Sequence, residues 1–236
     1  MRISLFGFVR FLVDIIFRYE VERMVKGAIF DLDGTILDSM HVWDDLADKY
    51  LLSIGVTPMP YLKDIFETMT TSMTAEWLIE NMHVNKSVDE ILDGFNSLLS
   101  EFYKDKVKLK KEFRECFNYL KERDIPMMIA TSSERTNVVS ALKLHGLDNE
   151  FKGILTCDEL ETDKTKPYIY LKGAEVLGEK PEDIVVFEDS YFCIKTAKEA
   201  GFKVCAVYDE SNKKYMDDTK NIADYYFEYK ELNRGE

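Results

Sequence analysis

The chain has 236 residues, 46% hydrophobic and 13% aromatic, which is enough to bury a sizeable core and argues against disorder; one domain plus an insertion is the natural count. A formal net charge of -13 excludes the basic surface that nucleic acid requires, but it leaves room for a small phosphate ester whose charge is met locally by lysine and a metal ion. The four cysteines, at 116, 157, 193 and 205, show no CxxC spacing or Cys/His pairing and read as buried apolar residues of a reducing, cytoplasmic compartment.

At the amino terminus, Ile3 to Phe17 is apolar but interrupted by Arg10 and Asp14, too short and too charged for a spanning helix, and no small-x-small cleavage site follows. Residues 1–23 are therefore read as an extension: first as the product of a start assigned too far upstream of Met24, next as an amphipathic surface helix, and last as an anchor. An exposed apolar segment there favours association, so a monomer or weak homodimer is expected.

Val25 to Phe30 is an apolar run that leads into Asp31-Leu32-Asp33-Gly34-Thr35. It reads as a buried strand that breaks into a loop at its carboxyl end, the edge where open α/β sheets bind ligands. Two carboxylates one residue apart need a cation or hydrogen-bond donors if they are buried there. Taken alone, the segment is better read as a strand followed by an acidic turn.

Helical spacing then recurs through Val42, Leu46, Tyr50 and Leu51, and Gly55, Pro58 and Pro60 break it. Further helices are expected over Tyr61 to Met69, Thr74 to Met82 and Val88 to Tyr103. From Leu109 helix and strand alternate: a helix from Lys110 to Arg123, a strand from Ile125 to Ala130, a helix from Arg135 to His145, a strand from Phe151 to Thr156 and a helix from Tyr168 to Leu177. Ile184 to Phe187 is the next strand, Tyr191 to Ala200 a helix, Lys203 to Val207 a strand and Ala223 to Phe227 one more. Helices between strands force right-handed crossovers and so a parallel sheet covered on both faces.

Each later strand also ends in polar residues: Thr131-Ser132-Ser133 after the second, Glu188-Asp189-Ser190 after Phe187, with Lys164-Thr165-Lys166-Pro167 between them. Alone, Thr131 and Ser132 could be a strand-end turn, the lysines solvated, and Glu188-Asp189-Ser190 a helix cap. The order DxDGT, hydroxyl, Lys-Pro, acidic pair resembles the haloacid dehalogenase superfamily, and Phe-Glu-Asp-Ser resembles its β-phosphoglucomutase-like branch. The resemblance runs from about Val25 to Tyr226. It implies a Rossmann-like, doubly wound parallel sheet built from 24–39 and 109–236, with an inserted α-helical cap of the superfamily's first class at 40–108.

The resemblance further implies a Mg²⁺-dependent phosphatase acting on a small phosphorylated metabolite, with neither nucleic acid nor membrane as partner. Asp31 is the expected nucleophile that becomes an aspartyl phosphate, and Asp33 the acid/base. Thr131 and Lys166 complete the catalytic set, and Leu32, Ser132, Thr131 and Lys166 hold the phosphate. Lys164 is the rival of Lys166, whose adjacency to Pro167 favours it. The metal ligands would be Asp31, Asp33 through its carbonyl, Asp189, and Glu188 either directly or through water.

The cap sets the substrate. β-Phosphoglucomutases carry a hinge histidine and a Gly-Arg-type cap element; this chain has Trp43 at that position, with His41 nearby, and Met69 to Met73 in place of the loop. A mutase must grip the distal phosphate of its intermediate, and the nearby cap offers Lys63. A phosphatase is therefore favoured over a phosphomutase acting on a hexose 1-phosphate, with Trp43, Thr70 and Thr71, and also Met69 and Trp77, as cap contacts; Trp77 fits cap packing better. Receiver-type signalling domains run these motifs in the opposite order, and a non-catalytic phospholigand-binding member would be expected to lose Asp31 or Asp33.

Overall fold

The computed structural model describes residues 25–66 and 69–227, so the expected extension at 1–23 lies outside the described residues. In chain order its elements are β1 (Gly27–Phe30), β2 (Leu37–Asp38), α1 (Met40–Asp44), α2 (Leu46–Ser53), α3 (Leu62–Phe66), α4 (Thr71–Met82), α5 (Val88–Asp105), β3 (Lys108–Leu109) and α6 (Lys111–Lys121). There follow β4 (Met127–Thr131), α7 (Arg135–Leu144), β5 (Ile154–Thr156), α8 (Tyr168–Leu177), β6 (Ile184–Glu188), α9 (Tyr191–Glu199), β7 (Lys203–Val207), α10 (Met216–Ile222) and β8 (Tyr225–Phe227). Two compact units divide the chain. An α/β unit takes in 25–36, Lys110–Ser133 and 149–227, and a helical unit takes in Leu37–Leu109 with Glu134–Asp148.

The α/β unit is built on a six-stranded sheet in the order β5-β4-β1-β6-β7-β8, every neighbouring pair parallel. The chain fills one side of β1 with β4 and β5, then crosses to build β6, β7 and β8 on the other, so β1 lies at the point where the winding reverses. Both faces of β1 are covered. On one, Ile29 packs with Met128, Val186 and Tyr170 in a buried cluster, and α8 comes so close that a Cβ on Gly173 would lie 2.7 Å from Ile29 Cδ1. On the other, the Phe30 ring stacks on Phe187 at 4.3 Å and meets Phe113 of α6 edge-on at 5.7 Å. Full burial of such side chains contributes about 1.5–3 kcal/mol each, which is why the strands read as continuous apolar runs.

In the helical unit, α5 opens on a capping box: Ser87 Oγ accepts from Glu90 N at 3.2 Å, and Glu90 Oε2 accepts from Ser87 N at 2.9 Å. α4 begins at Thr71, ahead of the expected Thr74, because the Thr70 side chain accepts from Met73 N and caps it there. α3 spans Leu62–Phe66 where a helix from Tyr61 was expected; Tyr61 has a φ of 67°, incompatible with the helix. Glu134–Asp148 was expected with the α/β core and instead groups with this unit. Ser100 Oγ of α5 donates to Asn137 Oδ1 at 2.9 Å, and His145 Nε2 lies 3.0 Å from Val107 O. The pairing of β2 with β3, Leu37 opposite Leu109, was not anticipated, since two-residue strands carry no alternation.

Candidate active site

The site forms at the carboxyl edge of the sheet, within the α/β unit. Asp31 N donates to Phe187 O at 2.9 Å, carrying the β1–β6 ladder one residue past β1 and fixing Asp31 beside the end of β6. The chain then turns through Gly34, whose φ of 76° favours glycine, and Ile36 N returns to Leu32 O at 2.9 Å. β4 and β6 flank β1 and end at Thr131 and Glu188, so three adjacent strands deliver Asp31, Thr131 and Glu188 to one edge. Asp189 follows directly.

Asp31, Glu188 and Asp189 are buried, and one oxygen from each lies within 4.8 Å of the others. Lys164 enters among them: its ammonium hydrogen-bonds Asp31 Oδ1, and also Glu188 Oε1 at 2.9 Å, where the hydroxyl of buried Tyr170 joins at 3.2 Å. Glu188 Oε2 accepts from Asp189 N at 2.9 Å, and Asp189 Oδ2 accepts from Asn212 Nδ2 at 2.9 Å. Burial, then the charge of Glu188, pushes the Asp31 carboxyl up to about 8, against the pull of Lys164. Burial likewise raises Asp189 well above the carboxylate range, with Glu188 and Asp31 adding to it. Burial pulls the Lys164 ammonium down, yet Asp31 and Glu188 outweigh it and hold Lys164 well above its ordinary value.

One lysine against three carboxylates leaves an excess of negative charge with no other buried cation in contact among the described residues. Hard oxygen donors at this separation suit a divalent cation such as Mg²⁺, so the residues fit the expected metal. Asp31 Oδ2 and Asp189 Oδ1 carry no hydrogen bond among the described residues, whereas both oxygens of Glu188 are engaged. The geometry thus separates two carboxylates open to a metal from a third that orients its neighbours.

Lys166, the expected catalytic lysine, stands outside this group. Its side chain is 68% exposed and pairs with Asp163 at 3.5 Å, while that of Lys164 is 6% exposed. The reason is local: the Asp163 carboxylate accepts from Thr165 N at 2.8 Å, and the resulting turn sends Lys164 inward and leaves Lys166 in the solvated turn ahead of α8. Ser132 is exposed, with its hydroxyl 3.5 Å from Cys157 Sγ. The next residue, Ser133, is buried, and its hydroxyl donates to Asp33 Oδ2 at 2.5 Å while its N–H donates to Thr131 Oγ1 at 3.0 Å.

Ser133, Tyr170 and Asn212 were not assigned roles from sequence. Ser133 belongs to a quoted hydroxyl run and was within reach of that reasoning; Tyr170 looked like any apolar helix position, and Asn212 like any turn residue. Among the cap candidates, each within the helical unit, Trp43 Nε1 donates to the Tyr103 hydroxyl at 2.9 Å, Thr70 caps α4 and Thr71 opens it. Trp77 packs edge-on against Phe66, with ring centroids 5.2 Å apart.

A family model described as haloacid dehalogenase-like hydrolase matches residues 28–207. The chain is 30% identical over 190 residues to a bifunctional riboflavin kinase/FMN phosphatase of Arabidopsis thaliana, a match covering 79% of this chain and 49% of that protein. It is 25% identical to a phosphorylated carbohydrates phosphatase of Thermotoga maritima, over 76% of this chain and 83% of the relative. The chain thus spans about half the length of the Arabidopsis protein and most of the Thermotoga one. In fold it is similar to CbbY from Rhodobacter sphaeroides in complex with phosphate, with a TM-score of 0.74 at 17% identity over 86% of this chain and 94% of that one. It is also similar to a β-phosphoglucomutase from Clostridium difficile, with a TM-score of 0.67 at 19% identity over 87% and 91% of the two chains. Sheet order, site and family match agree: the chain belongs to the haloacid dehalogenase-like hydrolase family.

Proposed function

We propose that the chain is a Mg²⁺-dependent phosphatase of a small phosphate monoester, a sugar phosphate or similar metabolite, working through an aspartyl phosphate. The observation that carries this reading is the buried Asp31, held by Lys164 with Asp189 and Glu188 within 4.8 Å, at the point where the sheet winding reverses. In this reading the helical insert is the cap of the family's first class.

A carboxylate attacks phosphorus only when it is ionised and aimed. Lys164 provides both conditions for Asp31, fixing Oδ1 and favouring the charged form. Attack forms an Asp31 oxygen–phosphorus bond and breaks the ester bond, and the departing oxygen takes its proton from Asp33. Ser133 holds Asp33 Oδ2 for that task at 2.5 Å. Because Thr131 Oγ1 accepts from Ser133 N, its O–H remains to donate to an equatorial phosphoryl oxygen. Asp33 then takes a proton from water, whose oxygen attacks phosphorus; the Asp31–phosphorus bond breaks, and inorganic phosphate leaves. Asp31, Asp189 and the Asp33 carbonyl would hold Mg²⁺, with Glu188 bridging through water, and the ion would neutralise phosphoryl charge. Lys164 takes the role first expected of Lys166.

Phosphate release across a panel of sugar and other small phosphate monoesters, with and without Mg²⁺, tests this reading beside Asp31→Asn. Release that requires Mg²⁺ and is lost in the variant, with acid-stable label trapped on the wild type alone, is the expected result. Release by Asp31→Asn at the wild-type rate removes the covalent step.

A further inference from the structure

The proposed metal ligand Asp189 is reached by a chain of polar contacts that the chemistry above does not use. Asn212 Nδ2 donates to Asp189 Oδ2 at 2.9 Å, and Asn212 N donates to Asp209 O at 3.1 Å. Asp209 is itself buried: its Oδ1 accepts from Ser211 N at 3.0 Å and from Ser211 Oγ at 2.7 Å, which caps the 3₁₀ segment Glu210–Tyr215 that carries Asn212. The other oxygen of Asp209 meets Lys110 Nζ at 2.7 Å, in a pair whose side chains are only 10% and 9% exposed. Lys110 Nζ also donates to Tyr208 O at 2.6 Å.

Lys110 closes the circuit. Its N–H donates to Ile36 O at 2.9 Å, and Ile36 N donates to Leu32 O at 2.9 Å, inside the loop that carries Asp31 and Asp33. The loop after β1 and the loop after β6, which hold the two carboxylates open to a metal, are therefore joined through Asn212, Asp209 and Lys110 of the α/β unit. A buried ion pair is expensive to form and contributes little net stability, so one in this position calls for a positional explanation. An ionised carboxylate only accepts hydrogen bonds, and the amide of Asn212 supplies a donor matched to that state of Asp189.

We propose that Asn212, braced by Asp209 and Lys110, is a positioning residue that sets the orientation of Asp189 for divalent-cation binding. Hydrogen-bonded partners of this kind typically govern metal affinity by 10- to 100-fold when removed. This inference rests on the metal-dependent reading above.

The test is Mg²⁺ titration of the full chain by calorimetry, without substrate, on the wild type, Asn212→Ala and the near-isosteric Asn212→Asp, with the metal-free unfolding midpoint of each measured alongside. The expected result is a wild type that binds Mg²⁺ and variants that bind about ten-fold more weakly or worse, Asn212→Asp the weakest because it exchanges a donor for a like charge. The Mg²⁺ concentration for half-maximal phosphate release should rise by the same factor. A purely structural role would lower the metal-free midpoint of Asn212→Ala and leave the Mg²⁺ affinity of folded Asn212→Asp within two-fold of wild type, and that overturns the proposal. A wild type that binds no Mg²⁺ overturns the metal reading itself, a separate outcome read on the unmutated chain.

Discussion

The α/β unit and the helical unit treat charge in opposite ways. Every buried acid or lysine among the described residues, namely Asp31, Lys164, Glu188, Asp189 and Asp209, lies in the α/β unit, as does the nearly buried Lys110 that pairs with Asp209. The helical unit keeps ion pairs such as Lys86–Glu90 and Lys106–Glu101 in solvent and buries polar groups that are neutral, Ser39, Thr74 and Asn137. Burying charge is costly and solvent-exposed pairs contribute little either way. The difference teaches that the α/β unit gives up stability to bury a cluster of charge, while the helical unit is held together by packing and capping.

The strongest way to break this contrast is to remove the lysine that compensates the buried acids. Lys164→Met leaves Asp31 and Glu188 facing each other without their counter-charge. A loss of about 3–5 kcal/mol in the metal-free protein is expected, together with a fall in phosphate release of about 10²-fold or more. Lys166→Ala, two residues away and solvated, is expected to change stability by less than about 0.5 kcal/mol and release by less than two-fold. Urea unfolding and phosphate assays on the two variants decide between the positions; equal losses would mean that burial does not distinguish them.

A smaller effect is expected from pH. The folded Asp31 carboxyl is raised from 3.8 to about 8, so between those values the folded state binds more protons than the unfolded one, and metal-free stability falls as pH rises through that window. Asp189 is shifted in the same direction. A divalent cation requires the ionised forms, so the stabilisation by Mg²⁺ should grow over the same range and binding should release protons. Thermal midpoints from pH 5 to 8 with and without Mg²⁺ measure this; parallel curves would place the cation elsewhere.

Much of this was legible in the sequence because strand physics and site chemistry coincide there. A fully buried parallel strand must be an apolar run, and its carboxyl end is where polar residues can reach a ligand, so Asp31, Thr131 and Glu188 were marked by position as well as by type. What was missed has no such marker. The choice between Lys164 and Lys166 depends on an Asp163 side chain bonding to Thr165 N, a turn contact that proximity to Pro167 does not reveal. Asn212 comes from a 3₁₀ segment that was not expected at all, and its importance arises only when β7 lies beside β6. The grouping of α7 with the helical unit likewise depends on Asn137 and His145 finding partners from Ser100 and Val107, pairings with no trace in local periodicity.

Ser133→Ala sharpens the contrast inside the α/β unit. It removes the hydroxyl that holds Asp33 but leaves the backbone N–H that Thr131 Oγ1 accepts. The hydrogen bond reaches a carboxylate, so a stability change of about 1.5–3 kcal/mol is the ceiling if Asp33 loses solvation as well, and a smaller change is expected because Asp33 is only partly buried. Activity should suffer more than stability: about a ten-fold fall in turnover, steeper for esters with poor leaving groups, which most need the proton from Asp33. Equal losses for activated and unactivated esters would assign Ser133 to the fold rather than to the acid.

The smallest effect belongs to the helical unit and tests its side of the comparison. Ser87 caps α5 through the Glu90 N–H, so Ser87→Ala should cost about 1 kcal/mol, within the usual range for losing an N-cap. Because the capping box is reciprocal, Glu90→Ala should produce a loss of similar size, and the double variant should fall short of the sum, since each partner has already lost the other. Phosphate release at saturating substrate should stay within two-fold of wild type in all three, because the buried charges proposed to carry the chemistry are in the other unit. If turnover fell in step with α5 capping while the unfolding midpoint stayed put, the helical unit would be contributing to the reaction itself, and the division between packing and chemistry would fail at the element where it looks simplest.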